Sequence, residues 1–427
     1  MARAPRTTVA LVVLVTFGTA LPARAAMAPS PILTDFDGAV DRAHGLAVTP
    51  DGGFVAVGES THEGTTEFAV ARYLADGRLD PSFGGDGTVL TGFGRSASGA
   101  NAVVVLSGGR TLVVGYTGVQ GGGFDFALAR YRIDGELDPT FGSGGEVVTD
   151  FPDSRGVDVA KSVAIQPDGR IVVSGYSGTY GEDYDFIVAR FRRGGALDRS
   201  FGDGGHVPTN FGGDDASQAV AVQPDRKIVA IGKSEHGGNF DFAVARYRPD
   251  GTLDRSFGDR GRERTDLGDD SFDYGLGGLI DGLGRIVVVG RSDAAGSLDL
   301  ALERYLPDGR RDRSFGNHGT VLTDLGQSST DSANAVALGP DGRIVVAGSS
   351  DADGSSDVAF ASYLDTGAPD PSFGIHGTML VDVGAGSDDV ANAVVLSDAW
   401  VLAAGASNAD GGIDFALVAT PATSPLA

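Results

Sequence analysis

Ala160-Lys161-Ser162-Val163-Ala164-Ile165-Gln166-Pro167-Asp168-Gly169-Arg170-Ile171-Val172-Val173-Ser174-Gly175 decides the fold, together with Asp185-Phe186-Ile187-Val188-Ala189-Arg190-Phe191 and Leu197-Asp198-Arg199-Ser200-Phe201-Gly202. The apolar runs are short, rich in Val and Ile, and separated by Gly or Asp-Gly. Runs of that kind form strands joined by hairpins, because a helix needs a longer run at its own period. Pro167 presets φ and Gly169 accepts a positive φ, so Pro167-Asp168-Gly169 turns one strand into the next. The spacing predicts strands at Ala160–Gln166, Arg170–Gly175, Asp185–Phe191 and His206–Phe211.

The same order recurs along the chain. A Phe-Gly turn stands at Phe83, Phe141, Phe201, Phe257, Phe315 and Phe373, at intervals of 56 to 60 residues. The first three strands occur once more at Ala391–Leu396, Val401–Gly405 and Asp414–Ala419, with no fourth strand after them. The missing strand is at the other end: Ile32–Phe36 matches the fourth strands Val147–Phe151 and Val321–Leu325 yet follows nothing. Four-stranded repeats copied radially are propeller blades, and exchange of a terminal strand pairs edges that would otherwise be exposed. The expectation is all-β: a seven-bladed β-propeller with four antiparallel strands per blade, its ring closed by the N-terminal strand. It assigns 1–25 to a signal peptide, 26–31 to a short lead, 32–420 to the propeller and 421–427 to a tail. The fifth blade is expected to be the least regular, with Arg262 and Arg264 at apolar strand positions and Asp281-Gly282-Leu283-Gly284 in place of Pro-Asp-Gly.

The recurring Asp-Gly-x-Leu-Asp-x-Ser-Phe-Gly-x-x-Gly unit resembles the delta-60 repeat family of bacterial exported β-propeller proteins. The resemblance implies architecture and export, and no particular activity. Export is also read from the N-terminus: Arg3 and Arg6, an apolar Thr7–Leu21, and the small-x-small site Ala23-Arg24-Ala25. The apolar stretch is short for a membrane span, so no membrane insertion is expected, and the protein is placed outside the cell or in its envelope. The chain has no Cys and a net charge of −24. Its stability must come from burial and ring closure, and its surface repels nucleic acid and anionic membranes. A monomer is expected.

Several motifs are structural in this reading. Arg72, Arg130, Arg190, Arg246 and Arg304 recur in the third strand, and Asp80, Asp138, Asp198, Asp254, Asp312 and Asp370 recur after it. A buried Arg needs such a carboxylate. Gly-x-Ser at the end of the second strand lacks the second Gly of a hydrolase nucleophile elbow. The six histidines show no metal-ligand spacing.

Candidate sites lie on the face where the first strand begins. One equivalent position there carries His44, Asn101, Lys161, Gln218, Leu276, Asn334 and Asn392. The polar members, His44, Asn101, Lys161, Gln218, Asn334 and Asn392, would surround the channel mouth and orient a small polar ligand. The loops on this face vary between repeats and carry acids such as Asp214, Asp215, Asp388 and Asp389, as a binding face on a fixed scaffold would. In one loop, Ser349, Asp351, Asp353 and Asp357 stand at alternate positions around Gly354, which is calcium-loop spacing. The functional expectation is a binding or interaction module with a protein, peptide or carbohydrate partner, calcium being its candidate cofactor. The alternatives are a propeller enzyme of metal-assisted hydrolase or lactonase type and a purely structural surface component.

Overall fold

The computed structural model describes residues 31–422 except 38–39, 95–96, 120–121, 152–155, 180–182, 269, 327 and 398–399; the expected signal peptide and most of the lead and tail lie outside these. Every regular element among the described residues is a β-strand. In the third unit the strands are Gly156–Ile165, Ile171–Thr179, Tyr184–Phe191 and His206–Thr209, each antiparallel to the next. The first strand starts before the expected Ala160, and the second runs on past Gly175.

The strands form five four-stranded sheets and one of eight. The eight-stranded sheet is two four-stranded units joined by a single parallel pair, Val157 with Phe124. In the sheet that unites the chain ends, Ile32–Thr34 runs antiparallel to Asp414–Pro421, with Leu33 opposite Ala416. The first strand of each unit packs beside that of the next, and Asp389–Leu396 of the last packs beside Val40–Val48 of the first. Arg262 and Arg264, expected in the fifth repeat, stand in the fourth strand of the fourth unit, paired to Asn239–Tyr247. Arg264 is held there by Asp241 at 3.3 Å.

The repeat motif laces one unit to the next. The Phe of every Phe-Gly turn is fully buried. Arg304 gives Nε to Asp312 at 2.8 Å, gives Nη1 to the Asp365 carbonyl of the following unit at 2.6 Å, and stacks 4.4 Å over Phe315. Arg130 and Arg190 repeat this with the carbonyls of Arg193 and Pro249. Gly367 of the next turn has φ +84°, and a Cβ there would come within 2.7 Å of the Gly316 nitrogen, so no other residue fits the joint. In the sixth unit Ser362 replaces the Arg, and Arg343, just before the second strand, reaches the carboxylate of Asp370 at 3.3 Å.

Two further links connect most fourth strands to the following unit; Phe191 replaces the Tyr in the third unit and Ser98 the Asp in the second. A third-strand Tyr bonds a fourth-strand Thr of the preceding unit: Tyr131 to Thr91, Tyr247 to Thr209, Tyr305 to Thr265 and Tyr363 to Thr323, all at 2.7–2.8 Å. A first-strand Asp accepts the backbone N–H just after the fourth strand, as Asp158 does from Phe151 and Asp331 from Leu325. The N-terminal strand makes both links to the first unit: Thr34 with Tyr73 at 2.8 Å, and Phe36 N–H to Asp41 at 2.8 Å. Phe36 is buried, its ring 4.9 Å from Phe415.

Candidate functional site

Each first strand carries one β-bulge, and the extra residue of the seven bulges is His44, Asn101, Lys161, Gln218, Leu276, Asn334 or Asn392. A bulge adds an unpaired residue and re-aims its side chain. It also presses a first-strand carbonyl onto the second strand. A Cβ on Gly58, Gly115, Gly175, Gly232, Gly290, Gly348 or Gly405 would sit 1.7–2.0 Å from that oxygen. The Gly of Gly-x-Ser is therefore dictated by the bulge opposite it and has no part in an elbow.

The six polar bulge residues fall into two sets. Asn101, Asn334 and Asn392 donate their amides to the backbone carbonyls of Ala160, Ala391 and Ala43, each on the first strand of the following unit, at 2.6–2.9 Å. They stitch neighbouring first strands, and Asn392 stitches the last unit to the first. Asn334→Ala should therefore cost about 1–3 kcal/mol, because it strands the buried Ala391 carbonyl. Denaturant melts should register that loss, whereas Gln218→Ala should leave the midpoint nearly unchanged.

His44, Lys161 and Gln218 are available. His44 Nδ1 and Gln218 Oε1 are buried without a hydrogen-bond partner among the described residues. Lys161 is 3% exposed and 5.8 Å from the Tyr176 ring. The residue after each Gly of the second strand is Glu59, Tyr116, Tyr176, Lys233, Arg291, Ser349 or Ala406. Tyr116 donates to Glu59 at 3.0 Å, and His44 and Arg42 lie 3.9 Å from the same carboxylate. Burial would raise the Glu59 pKa, but His44, Tyr116 and Arg42 outweigh it and hold the group down at about 2. Lys233 lies over the adjoining rings of Phe240, 4.1 Å away, and Tyr274, 4.9 Å away, and Arg291 also lies over Tyr274 at 4.9 Å. Burial brings Lys161 and Lys233 down to about 8, with Glu59 raising and Lys233 lowering the first, and Arg291 lowering and Asp214 raising the second. Sequence reasoning found the bulge position but used Gly-x-Ser only to exclude an elbow, and so missed Tyr116, Tyr176, Lys233 and Arg291 between Gly and Ser.

Asp357, read as part of a calcium loop, is gathered with other residues. Ser349 lies within the second strand opposite Val358, and Asp351 accepts the Thr330 N–H at 2.6 Å. Asp351 and Asp353 are not in the group that contains Asp357. That group is Asp357, Asp382 and Asp389, and it recurs as Asp35/Asp41/Asp414, Asp125/Asp150/Asp158, Asp241/Asp266/Asp273 and Asp299/Asp324/Asp331, with carboxylate oxygens within 4.8 Å of one another. Each triad joins the start of a third strand, the end of the fourth and the start of the next unit's first. In one of them the N-terminal strand supplies Asp35. The signal was present in Asp-Phe-Ala at the third strand and Thr-Asp at the fourth. Asp215 and Asp389, expected on the acidic loop face, are buried.

Six stretches, 49–83, 107–141, 166–201, 223–257, 284–315 and 339–373, match the family model described as "Domain of unknown function (DUF5122) beta-propeller". Each match runs from the first turn of a unit to its buried Phe. The chain is a β-propeller repeat protein. No curated protein sequence matches it. Among solved structures it is similar to a streptogramin B lyase (TM-score 0.49, 11% identity, 91% of this chain and 97% of that one). It is similar also to the polysaccharide lyase Uly1 (0.47, 9%, 98% and 94%) and to Drosophila Plexin A in complex with Semaphorin 1b (0.43, 10%, 92% and 86%). At these levels the similarities say nothing about activity.

Proposed function

We propose that the chain is an exported seven-bladed β-propeller, closed by Ile32–Phe36, that acts as a monomeric binding module. Its ligand, borne by a protein, peptide or carbohydrate partner, enters the polar mouth of the central channel. The observation that carries this reading is the bulge repeated at one position of every first strand. It directs buried polar groups, two with unpaired atoms, to the strands that neighbour one another in a cycle. Buried polar atoms without partners are what a polar ligand satisfies. Closure is supported by the N-terminal strand, which makes toward the first unit the Tyr–Thr and Asp–N–H links that other fourth strands make.

An enzyme is the second reading, and one observation bears on it. Glu59, the carboxylate at the mouth, is held as an anion near a pKa of 2 and already takes the Tyr116 proton donor. General acid–base work needs a group poised near the working pH. A thermal-shift screen of the protein from residue 26 onward, against peptides and saccharides, decides the matter. A binding module gives ligands that raise the melting temperature by mass action, without turnover. Turnover abolished by Glu59→Gln would favour the enzyme instead.

A further inference from the structure

We propose that the channel mouth binds an anionic solute with at least two carboxylate, sulfate or phosphate groups, received by Lys161, Lys233 and Arg291. The inference rests on reading the first strands as the lining of one channel. It concerns a local inversion of charge. The chain as a whole carries −24, yet these three cations occupy successive units at the mouth, and no carboxylate lies within ion-pair distance of them among the described residues. Glu59 and Asp214 act on Lys161 and Lys233 only at longer range. Glu59 is itself shared by Arg42, His44 and Tyr116. Arg291 Nε is buried with no hydrogen-bond partner.

Elsewhere the protein does not tolerate this. Arg72, Arg130, Arg190, Arg246 and Arg304 each have their own aspartate. A buried cation without a partner is costly, and fold stability offers no reason to keep several together. An anion would supply the missing partner. The groups are also of the right kinds: Arg291 presents a fork suited to planar oxyanions, while Lys161 and Lys233 are point charges. Two anionic groups are required because Lys161 and Lys233 repel each other, as do Lys233 and Arg291, and a single charge would leave part of that repulsion in place. In the two units that follow, the corresponding residues are the uncharged Ser349 and Ala406.

The test is calorimetric titration of the purified protein with citrate, with inorganic phosphate, with trigalacturonate, and with the trigalacturonate methyl ester as an uncharged control. Citrate or trigalacturonate should bind, more tightly than phosphate and at least tenfold more weakly when NaCl is raised to about 0.5 M, while the ester does not; phosphate binding alone would overturn the requirement for two groups. Citrate alone would mark a small free solute, and trigalacturonate alone a saccharide. Lys161→Met should lose tenfold or more in anion affinity while raising the melting temperature of the free protein, since it replaces an unpaired buried ammonium. Arg291→Gln should lose affinity without that gain. Equal binding of acid and ester, anion affinity unchanged in both variants, or a lower melting temperature in Lys161→Met would overturn the inference. Ester binding alone would leave the binding-module reading standing, whereas the absence of any ligand in both this titration and the wider screen would remove both.

Discussion

Removing residues 31–36 should lower the melting temperature by on the order of 10 °C. The deletion strips Asp414–Pro421 of its partner strand and exposes a sheet edge. It takes away the buried Phe36, the Thr34–Tyr73 bond and the donor to Asp41. Loss of a buried Phe alone costs about 3–5 kcal/mol, and leaving Asp41 and Tyr73 unpaired adds about 1–3 kcal/mol each. For a chain of this size a loss of that order moves the melting temperature by roughly 2 °C per kcal/mol. Differential scanning calorimetry measures it directly. A transition that does not move would mean the N-terminal strand contributes nothing to the ring.

Acidification should have the opposite effect, stabilising the fold between pH 7.5 and 5. Burial raises Glu303 to about 7 and Asp215 and Asp241 to about 6; burial together with Asp410 raises Asp414 to about 7. A carboxyl whose folded pKa lies above its unfolded value binds protons more readily in the native state. Its stabilising contribution is complete below the unfolded pKa and is lost as the pH rises through the folded one. Lys161 and Lys233 work in the other sense, but with folded values near 8 most of their effect lies above pH 7.5. Below about pH 4 the trend reverses, because Glu59 and Asp254, held near 2, lose their favourable contacts on protonation. The melting temperature should therefore rise by on the order of 5 °C from pH 7.5 to 5 and then fall. A monotonic fall from pH 7.5 would contradict the burial of these carboxyls.

The aspartate triads, which include Asp241 and Asp414, define the calcium experiment. A divalent cation would relieve at pH 7.5 what protons relieve at pH 5, so any calcium shift should be larger at the higher pH. Asp389→Asn should reduce that shift and Asp353→Ala should not. The reverse pattern would restore the loop of Ser349, Asp351, Asp353 and Asp357 as the site.

The architecture was legible because its determinants are local. Pro-Asp-Gly, the Val/Ile runs and Phe-Gly each fix a turn or strand from neighbouring residues, and Ile32–Phe36 could be placed by likeness to other fourth strands. The bulge position was legible as a polar column. What that column does was not, because Asn334 is committed to a carbonyl 57 positions away and Lys161 answers to Glu59 two units back. The triads were missed for the same reason. Asp357, Asp382 and Asp389 belong to three strands, and only the packing of one unit on the next brings them together. Ser349 and Asp351 were read as calcium ligands by spacing alone, which shows neither the pairing of Ser349 opposite Val358 nor the bond of Asp351 to the Thr330 N–H.

Closure is tested most directly by placing cysteines at Leu33 and Ala416, which face each other across the terminal pair of strands, in a chain that has none of its own. If the ring closes as described, mild oxidation should join the two within one molecule. The product should run faster on a non-reducing gel, and its melting transition should rise by the equivalent of up to about 6 kcal/mol, the loop-entropy scale for so long a closed loop. A pair that stays reduced, or that links only separate molecules, would contradict the closed propeller and the channel mouth built upon it.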